Sequence, residues 1–275
     1  MTTHRTVFFV SDRTGITAEL LGRTLLTQFP DSVFTKITLP FVDTVEKAQK
    51  ARETINHTAS QQGIRPLVFT TLINTETRTM LASTDAFVMD LFEMFTRPLE
   101  DELGMASSQV PGLSHGISDH VAYKGRIDAV NFALSHDDGI TAVNFAQADI
   151  ILVGVSRVGK TPTCLYLAMQ YGVRAANFPL TPDDFNDIHL PKSLRPFRKK
   201  LFGLTISPDR LSQIRSERKA DSNYASPKNC LDEVNKAEAI FRAENIPFMD
   251  TTTKSVEEIA TTIIHERKLR ENPSR

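Results

Sequence analysis

Short runs of β-branched and aromatic residues alternate along this chain with stretches whose apolar positions recur at helical spacing. Thr6 to Ser11 (TVFFVS) predicts a strand, and Thr14 to Phe29 an amphipathic helix with Ile16, Leu20, Leu21 and Leu25 near one face. Phe34 to Leu39 predicts a second strand. Thr44 to Gln61 predicts a polar helix stopped by Gly63, and Leu67 to Ile73 a third strand. Ser83 to Leu103 has helical character with an interruption at Pro98. The first hundred residues thus alternate β-α-β-α-β-α, the pattern of a parallel sheet covered by helices.

Residues 104–122 carry Gly, Ser and Pro with little periodicity and predict a loop or linker. Tyr123 to Ser135 resumes as a helix. Ala148 to Val153 is an apolar run suited to a buried parallel strand, followed by a helix over Thr163 to Tyr171. Strands are expected at Arg174 to Leu180, Leu201 to Ile206 and Ile246 to Asp250. Ser207 should cap a helix that has Pro208 at its first position, and a further helix covers Tyr224 to Glu244. Ser255-Val256-Glu257-Glu258 has the form of a capping box opening the final helix.

Between the buried strand and its helix, Gly154 to Thr161 read GVSRVGKT, a complete match to G-x-x-x-x-G-K-[ST]. Each fixed position has a physical role. Gly154 and Gly159 let the backbone turn tightly around an anion. The N–H groups of Gly154, Val155, Ser156, Arg157, Val158, Gly159, Lys160 and Thr161 can then face phosphate oxygens. Lys160 supplies a point charge, and Thr161 a hydroxyl for Mg²⁺. Arg157, inside the loop, could neutralise charge in a transition state or simply face solvent. The fold class is therefore α/β, with a P-loop NTPase-like C-terminal domain built on a parallel sheet. The expected division is an N-terminal α/β domain over residues 1–103, a linker and helix over 104–145, and the P-loop domain over 146–275.

Composition narrows the function classes. The chain has 275 residues, with 32 basic against 33 acidic side chains. That balance points to neither a nucleic-acid nor a membrane partner. Cys164 and Cys230 read as free thiols of a reducing compartment. The start, MTTHRTVFFVSD, lacks the regions of a signal peptide, so a cytoplasmic protein is expected.

Other constellations carry weaker signals. Ser11-Asp12-Arg13-Thr14-Gly15-Ile16-Thr17 also joins a strand to a helix through a glycine. It could form a second anion nest, with Asp12 as an acid–base or metal residue, or be an ordinary helix cap. Lys192, Arg195, Arg198, Lys199 and Lys200 could close over phosphates or form a solvated face. His115, His120 and His136 match no metal spacing, and His136-Asp137 could cap a helix end. Asp183 and Asp184 are weak candidates for Mg²⁺ or base roles.

The segments VFFVSDRTGITAE, HDDGI, GVSRVGKTPTCLYLA, RAANFPL and KLFGLTI, in that order, resemble the bacterial phosphoenolpyruvate synthase regulatory proteins. The wider family includes regulators of pyruvate, phosphate dikinase. The resemblance runs from near Thr6 to about Ile264. It implies a bifunctional enzyme that phosphorylates a threonine of the synthase from ADP, inactivating it. With inorganic phosphate it would remove that group as pyrophosphate. It implies that Gly154 to Thr161 bind ADP, that Lys160 and Arg157 stabilise the transferred group, and that Thr161 ligates Mg²⁺. A homo-oligomer is compatible with the sequence. Competing readings are the same chemistry on the dikinase, a small-molecule kinase, and a nucleotide sensor that only binds its partner.

Overall fold

The computed structural model describes residues 3–110, 120–137, 142–218 and 223–269. The chain divides into two units, Met1–Ser118 and Asp119–Arg275. Each has a four-stranded parallel sheet.

The first unit runs β1 (Thr3–Val10), α1 (Ile16–Leu26), β2 (Ser32–Leu39), α2 (Val45–Gln62), β3 (Leu67–Thr70), α3 (Thr75–Ala82), β4 (Phe87–Asp90) and α4 (Leu91–Leu103). Its sheet has the order β2-β1-β3-β4. The central strand β1 buries Val7, Phe8, Phe9 and Val10 completely. Side chains alternate across a strand, so Phe8 and Val10 join one core with Ile55 and Leu72. Val7 and Phe9 join the other, with Ala18, Leu26, Phe69 and Leu91. Continuous apolarity over Val7–Val10 of β1 is the consequence of cover on both faces.

Two expectations are corrected here. The buried face of α1 is Ala18, Gly22 and Leu26, whereas Ile16 and Leu20 are 57% and 67% exposed. The cause is close approach. A Cβ on Gly22 would lie 2.5 Å from Phe9 Cε1 and 2.9 Å from the Phe69 ring, so only small residues fit against the sheet there. The second correction concerns Ser83 to Leu103, which holds a strand and then a helix. Phe87–Asp90 pairs in register with Leu67–Thr70, and Asp90 caps α4 by accepting from the Glu93 N–H at 3.0 Å. Pairing to β3 outweighs local helical character, and Pro98 lies inside α4 without ending it. Helix α3, capped by Asn74 through the N–H groups of Glu76 and Thr77, had no expectation against it.

The second unit runs α5 (His120–Ser135), β5 (Ile150–Gly154), α6 (Lys160–Tyr171), β6 (Ala175–Pro179), β7 (Leu201–Thr205), α7 (Pro208–Arg218), α8 (Pro227–Ala243), β8 (Phe248–Asp250) and α9 (Val256–Glu266). Helix α5 packs on α6, within this unit. Every residue of β5 is buried. Ser207 caps α7 by accepting from the Arg210 N–H at 3.2 Å, and both halves of the Ser255–Glu258 capping box are formed. Helix α8 starts later than expected, at Ser226-Pro227, because the Ser226 hydroxyl takes the capping position.

The sheet order here is β6-β5-β7-β8, the same arrangement as in the first unit. In both, the chain adds its second strand on one side of the first and its third on the other. The carboxyl ends of strands at such a reversal form the crevice where open α/β sheets bind ligands. In the two units this places the turn after β1 and the turn after β5. Each ends on a glycine in the left-handed conformation, Gly15 at φ 81° and Gly159 at φ 93°. Neither helix that follows has a side-chain cap, so the first N–H groups of α1 and α6 are left to other partners.

Among the described residues no helix is long and apolar enough to cross a membrane. Cys164 and Cys230 are free and buried, and burial pushes both thiols up, away from the reactive thiolate.

Candidate functional site

The loop Gly154 to Thr161 leaves the carboxyl end of β5 and enters α6. Gly154 is required by close approach, since a Cβ there would stand 2.3 Å from the Leu204 carbonyl oxygen. Gly159 is required by its positive φ. Arg157 also stands in the left-handed region, at φ 80°. For a non-glycine residue that costs on the order of 1 kcal/mol, a strain of the kind that collects at ligand clamps. Its side chain is exposed, while Lys160 is only 5% exposed. The Lys160 ammonium donates to the Val155 carbonyl at 2.7 Å, which folds it over the loop.

Thr161 is held by residues distant in sequence. Its hydroxyl donates to Asp137 Oδ1 at 2.8 Å. The Asn177 amide donates to the same carboxylate oxygen at 2.6 Å and to Thr161 Oγ1 at 3.0 Å. Asp137 follows the end of α5, and the backbone ties that end to β6 through Asn177 N to His136 O at 3.0 Å. Behind it the His136 ring is buried and stacked on Phe132, with centroids 4.0 Å apart. Its Nδ1 lies 2.8 Å from the Phe132 carbonyl, an acceptor only, so that nitrogen carries a proton. Asp137 therefore joins the candidate site, where the sequence suggested at most a helix cap. The signal that could have found it is an aspartate directly after a helix in the HDDGI segment.

These groups fit a divalent cation with a hard-oxygen preference. Thr161 Oγ1 and Asp137 Oδ1 are adjacent, and the buried Asn177 Oδ1 has no partner. Mg²⁺ is commonly held by one or two protein oxygens plus phosphate and water. No cluster of three or more His, Cys, Asp or Glu residues suited to a metal occurs among the described residues, so a dedicated all-protein cage is not present there.

The other candidates hold capping, loop-tethering or solvent-facing places. Of the basic cluster, Arg195 donates to Leu190 O at 3.1 Å and Arg198 Nε to Glu244 O at 2.8 Å. Lys200 donates to Ala146 O and Ala148 O at 2.7 and 2.8 Å. These cations reach carbonyls of neighbouring loops, while Lys192, Arg195, Arg198 and Lys199 stay exposed, so the cluster is largely a solvated face. Asp184 is the acceptor of a capping box with Thr181, and Asp183 is exposed. His115 and the side chain of His120 lie outside the described residues.

Asp12 stands in the first unit, two residues past β1. It is 8% exposed, and its Oδ2 is buried without a partner. Burial raises its pKa above the ordinary carboxylate value, more than the Ile73 N–H and the Arg13 charge lower it. The ionised form is therefore disfavoured by folding. Asp12→Asn is expected to be more stable than wild type at about pH 8, with the difference shrinking as the pH falls toward about 4 and Asp12 protonates. Denaturant titrations at both pH values check this; a difference independent of pH would refute it.

The kinase/pyrophosphorylase family model matches residues 7–264. A protein of Alkalilimnicola ehrlichii, provisionally named a phosphoenolpyruvate synthase regulatory protein, is 55% identical over 265 residues, 96% of each chain. Proteins of Laribacter hongkongensis and an Azoarcus species, with the same provisional name, are 55% and 53% identical. The first match covers 95% of this chain and 96% of the relative, and the second covers 96% of both. A family match spanning both units, with relatives more than half identical over nearly the whole chain, leads to one assignment: the chain belongs to the kinase/pyrophosphorylase family of phosphotransfer enzymes.

Proposed function

We propose that this protein phosphorylates a threonine of a phosphoenolpyruvate synthase from ADP, silencing it, and removes that phosphate with inorganic phosphate. The observation that carries the reading is the Lys160–Thr161–Asp137 arrangement at the mouth of β5. The relatives' names supply the target.

In the forward step the threonine oxygen bonds to the outer phosphorus of ADP. The bond from that phosphorus to the bridging oxygen breaks, leaving AMP, and the hydroxyl proton passes to a base. In the reverse step an oxygen of inorganic phosphate attacks the phosphothreonine phosphorus. Threonine leaves, takes a proton, and pyrophosphate is released. Both steps need positioning and charge neutralisation more than covalent catalysis.

The chain supplies both. Loop N–H groups from Gly154 to Thr161 orient phosphate oxygens. Lys160 and Arg157 neutralise the charge that spreads over the transferred group. Thr161 and Asp137 would hold Mg²⁺, which when bound screens the phosphate oxygens from the incoming nucleophile. In the first unit, the uncapped start of α1 offers the Ser11–Thr17 turn to phosphate or phosphothreonine. Asp12, with its raised pKa, is suited to hold or release a proton there.

The test is the intact mass of purified phosphoenolpyruvate synthase after incubation with this protein, phosphoenolpyruvate and ADP. One added phosphate, stable to acid, is expected on the synthase. Adding inorganic phosphate should remove it with one pyrophosphate released per site. An unchanged mass would reject the synthase as target, and stoichiometric inhibition without a mark would make the protein a nucleotide sensor.

A further inference from the structure

The phosphate loop works only if its N–H groups face inward, and its glycines permit that turn without fixing it. A trans peptide is planar, so the C=O of one residue and the N–H of the next point in opposite directions. Fixing a carbonyl on the outside of the loop therefore aims the following N–H at its interior. Two loop carbonyls are fixed in this way by side chains from elsewhere. Arg215 on α7 donates from Nη2 to Ser156 O at 3.2 Å. Thr251, just past β8, donates from Oγ1 to Val158 O at 3.1 Å, a bond shared with Thr205 O at 3.0 Å. The N–H groups that these bonds direct belong to Arg157 and Gly159, the two loop residues with positive φ.

Arg215 is built into its place. Its side chain is fully buried and donates to Glu233 Oε2 at 2.7 Å and to Tyr224 O at 3.0 Å. Its guanidinium lies 4.0 Å from the centroid of the Tyr224 ring. The Tyr224 hydroxyl in turn donates to Ser156 Oγ at 3.0 Å, and Asn229 holds the other Glu233 oxygen at 2.7 Å. A buried ion pair contributes little net stability compared with apolar residues of the same volume. Its presence behind the loop is better explained by the direction it imposes on Ser156.

We infer that Arg215 and Thr251 are positioning residues of the phosphate site, clamping the Ser156 and Val158 carbonyls so that the Arg157 and Gly159 N–H groups meet the anion. The inference rests on the loop binding a nucleotide or phosphate.

The experiment measures ADP affinity by titration calorimetry in Mg²⁺, and the melting temperature without ligand, on the full chain. Thr251→Val keeps the shape and removes the donor, and Thr251→Ser keeps the donor. Thr251→Val should weaken ADP binding about tenfold, the worth of one hydrogen bond in an aligned site, with Thr251→Ser restoring wild-type affinity. Arg215→Lys keeps the charge beside Glu233 but loses the planar fork that also reaches Ser156, and should weaken binding by at least as much. A merely structural role would lower the melting temperature and leave affinity alone. Wild-type affinity in folded Thr251→Val, or in Arg215→Lys should the former not fold, overturns the clamp. Wild-type protein that binds neither ADP nor inorganic phosphate overturns the reading of the loop, and the clamp with it.

Discussion

Replacing Lys160 with alanine is expected to slow phosphoryl transfer about a hundred- to a thousandfold in both directions, while the chain stays folded. Lys160 opens α6, where alanine is an excellent helix former, so the helix itself should survive. What is removed is a charge in a nearly dry setting: the side chain is 5% exposed and its ammonium rests on a loop carbonyl. Charge spread over a transferring phosphoryl group interacts far more strongly there than in water. Lys160→Arg should recover only part of the rate, because a planar guanidinium does not occupy the place of a compact ammonium. Single-turnover rates of marking and unmarking the target check this. A loss of less than about tenfold for the alanine variant would take Lys160 out of the transition state.

Gly154→Ala should have the largest effect on stability. The new Cβ would stand 2.3 Å from the Leu204 carbonyl oxygen, and a backbone atom in a paired strand cannot rotate away. Gly22 is closed too, since a Cβ there would meet the buried Phe9 and Phe69 rings, but at Gly154 the obstacle is a backbone atom. There β5 and β7 must separate. A cost of about 3 kcal/mol is expected, the upper end of overpacking. That corresponds to a melting temperature lower by roughly 6–12 °C for a chain of this size. ADP affinity should fall as well, because the first residue of the loop moves. A melting temperature within about 2 °C of wild type would show that the sheet absorbs the methyl group.

The same two residues mark how far the sequence could be read. Lys160 and Gly154 are fixed positions of a local pattern, and the strand and helix that flank it are local too, so the loop was legible without a structure. Caps were legible for the same reason. Ser207, Ser255 and Gly63 act on N–H or carbonyl groups within four residues of themselves. The helical face of α1 was not legible. Its period was right, but which side turns inward was settled by Gly22 against two phenylalanine rings far away in sequence.

The chemistry of the site divides along the same line. The sequence by itself determined the alternating α/β order, the apolar runs of the central strands β1 and β5, and a loop of the phosphate-binding pattern with its lysine and threonine. All of these follow from spacing and side-chain type within a few residues. Tertiary structure alone decided that Phe87–Asp90 is a strand, because pairing with β3 supplies its hydrogen bonds. It also decided which groups surround the loop. Asp137 and Asn177 meet Thr161 from 24 and 16 positions away, and Arg215 and Thr251 reach Ser156 and Val158 from 59 and 93 positions away. Asp137 follows α5, Asn177 lies in β6, Arg215 sits on α7 and Thr251 follows β8, so four elements of the second unit gather around one loop whatever their distance along the chain. The packing of those elements on the sheet determines that gathering, and no local pattern encodes it.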